Sequence, residues 1–364
     1  MTSNPAAETE NQFLAIGGWP AVLAAISARQ ELGVELLRPA LSEILGGSAT
    51  PAQIAAFAIG MRTKGESSSE LAILLDTMLD FGLGVPLRDA VREAALCTCG
   101  TGGDRSHSIN ISTTAAFVVA GAGGLVCKHG GRASSSLSGS ADVLEALGVA
   151  LEISPEAIAT CIDEAGVGFC LAPRFHPAMR HAAPVRRELG VATLFNLLGP
   201  MANPGRVQRQ VVGVSDPAVA QRMAEVLLAR GATRAFVVHG DDGLDEITTT
   251  ANTQVLEIRD GTIRAFTVDP TALGFRLATI SDLRGGTAAE NGAHLRAVLE
   301  GKPGPHADIV ILNAAAGLVA TGVADDLFDG CEKAREAITN GSALSSLERL
   351  IETSQRLTGA ADDA

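Results

Sequence analysis

The stretch Leu96–Ala122, LCTCGTGGDRSHSINISTTAAFVVAGA, decides the fold class. An apolar run ends at Cys99, three glycines follow between residues 100 and 103, and a second apolar run begins at Thr114. Glycines let a backbone pass close to a ligand and turn its N–H groups inward. A hydroxyl at Ser112 or Thr113 would cap the following helix, whose N-terminus favours an anion. Glycine-rich turns alone indicate only a turn, but the combination favours phosphate binding.

Outward from this stretch, short β-prone runs alternate with helical patterns and glycine-rich turns. This alternation is typical of an α/β unit built on a largely parallel sheet. The predicted strands are Leu125–Lys128, Val167–Leu171, Val211–Val214, Ala235–His239 and Thr253–Ile258. The predicted helices are Thr113–Gly121, Ser140–Leu147, Pro155–Glu164, Pro217–Ala229, Ala288–Leu299 and Asp325–Thr339.

The N-terminal part reads differently, as a set of helices. Trp19–Arg29 and Val34–Leu45 carry apolar residues at three- and four-residue spacing. Thr50 with Gln53, and Ser67 with Glu70, form capping-box patterns that start two further helices. The sequence therefore predicts about four helices before residue 85.

Composition excludes several functions. The chain has 364 residues, is 46% hydrophobic and has a formal net charge of -13, so it can bury a large core but lacks a nucleic-acid footprint. No apolar stretch reaches the roughly 18 residues that suggest a membrane span. The polar, acidic N-terminus shows no signal-peptide pattern, which predicts a cytoplasmic location. The six cysteines contain no zinc-type pair of C-x-x-C motifs and are interpreted as reduced core thiols.

A second candidate phosphate loop begins at a strand end. Lys128 closes a predicted strand, Arg132 follows, and a Ser/Gly loop leads to Ser140. Lysine supplies a point charge for phosphate and arginine a planar fork. A flexible surface loop is the alternative, but ligands of open α/β sheets bind at strand ends.

An acidic run, Asp241–Glu246, follows the predicted strand Ala235–His239. Its four carboxylates repel one another unless a cation lies among them. Magnesium takes one or two carboxylates together with substrate phosphates. We therefore favour a metal site over a solvated acidic turn, and we interpret His239 as structural. A basic stretch, Pro173–Leu189, favours either a carboxylate-bearing substrate or pairing with acidic side chains.

Together these motifs resemble those of the anthranilate phosphoribosyltransferases, and they occur in the order expected of that family over about residues 12 to 355. The resemblance implies a small all-helical lobe and a large α/β lobe with a central, largely parallel sheet, as in the nucleoside-phosphorylase-like transferase fold. The motifs are GTGGD (100–104), NIST (110–113), KHG-x-R (128–132), SGSADVLEALG (138–148), FHPAMR (175–180), VRRELG (185–190), FNLLGP (195–200) and HGDDGLDE (239–246).

The resemblance also implies domain limits. The helical lobe would comprise residues 12–85 with part of 176–205, and the α/β lobe residues 86–175 and 206–355. Residues 1–11 and 356–364 would be disordered. The helical lobe would supply a homodimer interface.

The site residues that the resemblance implies have no catalytic nucleophile among them, because catalysis would be electrostatic and positional. Two magnesium ions would be held by Ser112, Asp245 and Glu246. The acceptor, anthranilate, would meet Gly100, His129, Gly131, His176 and Arg186. The donor, phosphoribosyl pyrophosphate, would meet Gly100, Gly103, Asp104, Ser108, Asn110, Ile111, Ser112, Thr113, Lys128, His129, Gly130, Gly131, Arg132, Ala133, Ser134, Ser135, Ser136 and Ser140.

The sequence departs from the family pattern at three places, one of which is LGPMANP (198–204), where LGPLTNP is commoner. Gly131 stands where the family usually has asparagine, and Arg105 where it often has glycine. They leave open a relative with the same chemistry on another aminobenzoate. A non-catalytic relative that binds nucleic acid is a third hypothesis, which the net charge disfavours.

Overall fold

The computed structural model describes residues 13–133 and 137–362. They form two compact units. The first contains residues up to Leu83 together with Phe175–Ala202, and the second contains Gly84–Arg174 together with the chain from Asn203 onward. Each unit is therefore assembled from segments that are distant in sequence.

The helices and strands are numbered in chain order. The helices are α1 Gly18–Ser27, α2 Val34–Gly46, α3 Pro51–Lys64, α4 Ser68–Asp80, α5 Asp89–Ala94, α6 Ile111–Gly121, α7 Ser140–Ala146, α8 Pro155–Ala165, α9 Ala172–Phe175, α10 Ala183–Leu189, α11 Leu194–Met201, α12 Pro217–Ala229, α13 Ala288–Leu299, α14 Pro305–Thr321, α15 Leu327–Thr339 and α16 Ser342–Asp362. The strands are β1 Leu96–Gly100, β2 Val126–Gly130, β3 Val167–Leu171, β4 Arg209–Gly213, β5 Arg234–Gly240, β6 Thr253–Arg259 and β7 Thr262–Val268. Short 3₁₀ turns lie at Pro177–His181, Pro270–Leu273 and Ile280–Leu283.

The first unit is all-helical, and local sequence explains where its helices begin. Both predicted capping boxes form, at Thr50 before α3 and at Ser67 before α4. Each satisfies two N–H groups that the first turn leaves without partners. The buried Trp19 packs edge-on against Phe57, with ring centroids 6.0 Å apart. The four helices predicted before residue 85 are thus found among the described residues.

The second unit is built on a seven-stranded sheet with the order β3-β2-β1-β4-β5-β6-β7. The first five strands in this order are mutually parallel, and β6 and β7 continue the sheet as an antiparallel hairpin. The largely parallel sheet, in a chain that also has an all-helical unit, confirms the predicted fold class. Because successive strands run outward from β1 in one direction and from β4 in the other, the strand order reverses between them.

Several elements of this unit were not predicted. Among them are β1, β7, α5, α14 and α16. The disorder expected from residue 356 onward is wrong for residues 356–362, which continue α16. That helix is held by Arg356, which pairs with Glu164 at 2.5 Å, and by Gln355, which donates to the Gly148 carbonyl at 2.8 Å.

The long helix α14 is a core element. Thirteen of the residues of α14 are buried, among them Ile309 and Leu312. None of the described helices has the combination of length and apolar character that spanning a bilayer requires.

Candidate active site

Three strands of the second unit end side by side where the strand order reverses. β1 ends at Gly100, β2 at Gly130 and β4 at Gly213, and Gly100 lies directly opposite Gly213. In open α/β sheets, ligands bind outside the carboxyl ends of the strands at such a reversal. The candidate site therefore lies at these three glycines.

The glycine-rich loop after β1 has the backbone that the sequence predicts. Gly102 and Gly103 have φ of 68° and 86°, which places both in the left-handed region. The Gly102 N–H donates to Oδ2 of Asp245 at 2.7 Å. The carboxylate of Asp104 accepts from the backbone and hydroxyl of Ser106, which holds the end of the loop. The loop is therefore tied to the acidic run 143 residues away in sequence.

Two glycines are required by the same acidic residue. A Cβ at Gly100 would overlap the Asp245 carboxylate, and a Cβ at Gly213 would overlap the Asp245 carbonyl oxygen. Gly100 was predicted from the loop, but Gly213 was missed. A glycine at the end of an otherwise β-branched run is the sequence signal of such a close approach.

The two halves of the acidic run, Asp241–Asp242 and Asp245–Glu246, make different contacts. Asp242 accepts hydrogen bonds from Thr248, Thr250 and the Leu244 N–H, so it shapes its own turn. Asp241 is exposed and accepts from Gln254. Asp245 and Glu246 instead face the strand ends, since Asp245 accepts from Gly102 and Glu246 accepts from the Ser112 N–H at 3.1 Å.

The two carboxyl groups at the strand ends resist ionisation. Burial raises the pKa of Asp245 to about 7, with a further contribution from the charge of Asp104. Burial and the neighbouring Asp245 raise the pKa of Glu246 to about 8. A cation between them would remove this penalty, because an opposite charge favours the ionised form.

These raised pKa values predict a pH-dependent stability in the absence of metal. In the unfolded chain both groups ionise near pH 4, so their contribution to stability is complete below about pH 4 and is lost as pH rises through about 7 and 8. In EDTA, the difference in melting temperature between the native chain and the Asp245→Asn/Glu246→Gln variant should therefore change between pH 5 and pH 8.5 in favour of the variant. If the two melting temperatures instead change in parallel over that pH range, the raised pKa values are contradicted.

Lys128 supplies the positive charge of the site. It lies on β2, is 2% exposed, and donates through Nζ to the Thr98 carbonyl at 2.6 Å and to Oγ of Ser112 at 3.2 Å. Burial lowers its pKa, and the neighbouring thiols of Cys99 and Cys97 and the carboxylate of Glu246 oppose that shift. Ser112 thus connects the lysine to Glu246, through its hydroxyl on one side and its N–H on the other.

The helix after the first loop begins two residues earlier than predicted. Asn110 is the N-cap residue of α6, and its side chain makes no capping bond. The expectation that Ser112 or Thr113 caps the helix is wrong, because both lie in the first turn. There Thr113 donates to Oγ of Ser140, the first residue of α7, at 3.0 Å. Ile111, also proposed as a site residue, is buried in the same turn.

The loop after β2 is tied back by acidic side chains of α7. Arg132 pairs with Glu145 at 2.7 Å and with Asp142 at 3.2 Å, and both contacts raise its pKa. Asp142 also accepts from the N–H groups of Ala133 and Gly139. His129 is 5% exposed at the strand end. Three further predicted site residues, Ser134, Ser135 and Ser136, lie outside the described residues.

The two acceptor residues predicted on the helical segment 176–205 lie in the first unit. The Arg186 guanidinium lies over the Phe195 ring at 5.5 Å, and burial lowers its pKa. It has no ion pair among the residues that the structure describes. His176 is buried, and its Nε2 lies 2.9 Å from the Ala202 carbonyl. Arg174 of the second unit pairs with Glu152, so part of the basic stretch is structural.

Two buried asparagines, Asn313 and Asn291, form hydrogen bonds with residues next to the site. Neither was predicted from the sequence. Asn313 on α14 accepts from the Ile247 N–H at 2.9 Å and donates to the Ile247 carbonyl at 2.8 Å, directly after Glu246. Asn291 on α13 donates to Oδ1 of Asn110 at 2.8 Å. In the sequence, the only sign of these asparagines is a polar residue within a helical apolar pattern. That sign does not show which residue the asparagine contacts.

The fold and the site define a glycosyl transferase with a helical bundle domain and an α/β domain. The corresponding family models match residues 20–82 for the helical bundle domain and residues 92–344 for the α/β domain. Two curated relatives are anthranilate phosphoribosyltransferases. The protein of Laribacter hongkongensis is 49% identical over 90% of this chain and 95% of its own length. The protein of Thermomicrobium roseum is 50% identical over 93% of this chain and 98% of its own. The chain therefore belongs to the anthranilate phosphoribosyltransferase family.

Solved structures agree with this assignment. The anthranilate phosphoribosyltransferase of Thermus thermophilus superimposes with a TM-score of 0.85 at 39% identity, covering 92% of this chain and 99% of the other. The Saccharomyces cerevisiae enzyme in complex with phosphoribosyl pyrophosphate and magnesium gives 0.81 at 28%, covering 96% and 99%. The same yeast enzyme in complex with 4-fluoroanthranilate gives 0.81 at 26%, covering 93% and 99%.

Proposed function

We propose that this chain transfers the phosphoribosyl group of phosphoribosyl pyrophosphate to the amine of anthranilate, releasing pyrophosphate, as a step of tryptophan biosynthesis. The observation that carries the proposal is the meeting of Lys128, Ser112 and the Asp245–Glu246 pair at the ends of β1, β2 and β4. A buried lysine, N–H groups of a glycine loop and a carboxylate pair suit a magnesium-bound pyrophosphate.

The donor would lie against the two loops and the start of α6. Backbone N–H groups at a helix start and in a glycine-rich loop bind phosphate oxygens, and Lys128 adds a buried charge that solvent screens little. For the ribose and the pyrophosphate we propose the same contacts that the family resemblance implies. Arg132 differs from the rest, because Asp142 and Glu145 already neutralise it.

The residues present fit magnesium. Asp245 and Glu246 offer two carboxylates whose raised pKa values call for a cation, and Ser112 offers a hydroxyl beside them. Within the described part of the chain, no three His, Cys, Asp or Glu side chains form a metal site of their own. Magnesium takes few protein ligands and completes its shell with phosphates and water. We propose two ions at Ser112, Asp245 and Glu246, which would neutralise the pyrophosphate as it leaves.

The reaction needs positioning more than acid–base chemistry. The nitrogen of anthranilate forms a bond to C1 of the ribose, while the bond from C1 to the pyrophosphate oxygen breaks and its electron pair stays on pyrophosphate. The amine then loses its proton to solvent. The sugar develops oxocarbenium character, as in glycoside hydrolysis. An aromatic amine is nucleophilic when neutral, so Lys128 serves as a fixed charge and no residue serves as a nucleophile.

Arg186 is the proposed partner of the acceptor carboxylate. Its guanidinium is partly desolvated over Phe195 and lacks an ion pair among the described residues, so a carboxylate would gain a forked, charge-assisted contact. The resemblance also implies Gly100, His129, Gly131 and His176 as acceptor residues, and we propose that role for each of them.

A direct assay tests the function. Purified protein with magnesium, phosphoribosyl pyrophosphate and anthranilate should consume anthranilate, which is followed as a loss of its fluorescence. EDTA should stop the reaction. Turnover of a substituted aminobenzoate but not of anthranilate would overturn the proposal and establish the alternative acceptor. Retained nucleic acid without turnover would establish the non-catalytic alternative, which no observation favours.

Gly131→Asn is expected to tighten anthranilate binding. Among the described residues, a Cβ at Gly131 comes within 4 Å of the Ala172 Cβ alone, at 3.9 Å, and the φ of Gly131 lies outside the left-handed region, so a Cβ fits there without strain. A new amide hydrogen bond is worth about 0.5–1.5 kcal/mol, which is roughly a two- to tenfold decrease in the KM for anthranilate. The KM for phosphoribosyl pyrophosphate is the internal control. An unchanged anthranilate KM would show that residue 131 does not reach the acceptor.

A homodimer and a cytoplasmic location complete the proposal. Light scattering on the purified chain should give twice the chain mass of 37.2 kDa. A monomer at micromolar concentration would contradict the dimer.

A further inference from the structure

The buried side-chain amide of Asn291 joins three segments of the chain, which contain Gly286, Asn110 and Ser138. It lies on α13 and is 3% exposed. Its Oδ1 accepts from the Gly286 N–H at 2.7 Å, and its Nδ2 donates to Oδ1 of Asn110 at 2.8 Å and to Oγ of Ser138 at 2.9 Å. A buried amide is costly unless its groups are paired, and in Asn291 both ends are used.

These contacts fix the direction of two amides in series. A backbone N–H can only donate, so the oxygen of Asn291 must face Gly286. Its NH₂ group must then face Asn110, which in turn must present its own oxygen. The NH₂ group of Asn110 is thereby turned the other way, where its contact with the Ser138 carbonyl is a long one of 3.5 Å.

We propose that Asn291 is a positioning residue for the donor, because it forces Asn110 to act as a hydrogen-bond donor rather than an acceptor toward the bound ligand. A sugar pyrophosphate offers oxygens that accept hydrogen bonds. An Asn110 amide held in the opposite direction would present an oxygen to those oxygens. The inference deepens the proposed function and rests on the placement of the donor at Asn110.

Asn291 and Asn110 form a relay of two hydrogen-bonded amides. The surrounding backbone fixes the distance between them. Gly285 donates through its N–H to the His107 carbonyl at 2.8 Å, and Ile109 donates to the Leu283 carbonyl at 3.0 Å. A Cβ at Gly285 would overlap Oδ1 of Asn291 and come within 2.8 Å of the Ser108 carbonyl oxygen. The segment before α13 therefore lies directly against the segment before α6, which leaves the two asparagines no freedom to separate.

Asn291→Asp and Asn291→Leu test the direction of the relay. The aspartate has the same shape and still accepts from Gly286, but it presents an acceptor to Asn110 and so reverses that amide. The leucine removes every hydrogen bond without imposing a direction. We expect the KM for phosphoribosyl pyrophosphate to rise about tenfold or more for aspartate and less for leucine, with kcat and the anthranilate KM within about twofold. The melting temperature should fall more for leucine, since leucine leaves Gly286 unpaired.

A double-mutant cycle separates the relay from the added charge. In an Asn110→Ala background, Asn291→Asp should leave the KM for the donor unchanged, whereas direct repulsion of pyrophosphate by the new carboxylate would persist. Thr287→Ala is the matched structural control, because it removes the capping box of the same helix. It should lower the melting temperature without changing the donor KM.

Calorimetric binding of phosphoribosyl pyrophosphate with magnesium keeps the inference separate from the proposed function. If the native chain binds the donor but does not turn over anthranilate, the acceptor assignment fails while the relay is still measured by donor binding. An Asn291→Asp variant that binds the donor as tightly as the native chain would overturn the relay. So would a defect that persists in the Asn110→Ala background, and so would a native chain that binds no donor.

Discussion

Replacing Lys128 by methionine is expected to lower kcat/KM about a hundred- to a thousandfold. Methionine retains the length and apolar stem of the side chain, so the buried strand should still pack, but the charge that we propose for pyrophosphate binding is lost. Removing one preorganised electrostatic contact from a water-excluded site typically costs a factor of that size. Steady-state rates with both substrates varied would measure the loss.

Lys302→Met is the matched control for this variant. Lys302 is exposed in the turn between α13 and α14, and its substitution makes the same change in net charge. It should leave the rate within about twofold, as expected for a surface substitution. Arginine should not substitute for lysine here, so Lys128→Arg should also lose activity. The lysine Nζ already lies 2.6 Å from the Thr98 carbonyl, which leaves no room for a guanidinium. A methionine variant within tenfold of the native rate would remove Lys128 from the site.

Neutralising the carboxylate pair should abolish the response to magnesium. Asp245→Asn with Glu246→Gln keeps the size of both side chains and their acceptors toward Gly102 and Ser112, but it removes the charges that would hold the ions. We expect a loss of at least about a hundredfold in kcat/KM at saturating magnesium, on the scale of one lost electrostatic contact. A magnesium titration of the residual rate should be flat.

Asp241→Asn gives the comparison within the same turn. Asp241 is exposed and bonds to Gln254, so its neutralisation changes the local charge without touching the strand ends. Its magnesium titration should match that of the native chain. A double variant that still needs magnesium at the native concentration would place the ions elsewhere.

Much of the fold could be read from local patterns. The strand predicted at Val167–Leu171 and the helices predicted at Pro217–Ala229 and Ala288–Leu299 have the observed bounds, because turn residues and caps delimit them. β7 was missed because most of its residues are exposed, so it lacks the alternation of buried and exposed positions that marks a strand. α14 was missed because it is apolar all round, so its pattern has no period.

The candidate site divides in the same way. The motifs at Gly100–Asp104, Asn110–Thr113 and Lys128–Arg132 are contiguous, and each carries a local physical reason for binding phosphate. The partners that hold them, Gly213 and Asn291, come from other elements. Nothing in the spacing of those residues names the loops that they contact. The division of the acidic run into Asp242 and the Asp245–Glu246 pair likewise depends on contacts with distant segments.

The strand-end glycines Gly100 and Gly213 restrict the amino-acid substitutions that mutation of the gene can introduce. Gly100 and Gly213 stand side by side, and the space where each would carry a Cβ is filled by Asp245. Every amino acid that a single-base change can substitute for glycine has a Cβ. Any amino-acid replacement at these two codons therefore meets Asp245, and a mutational scan should find both positions closed, including to alanine.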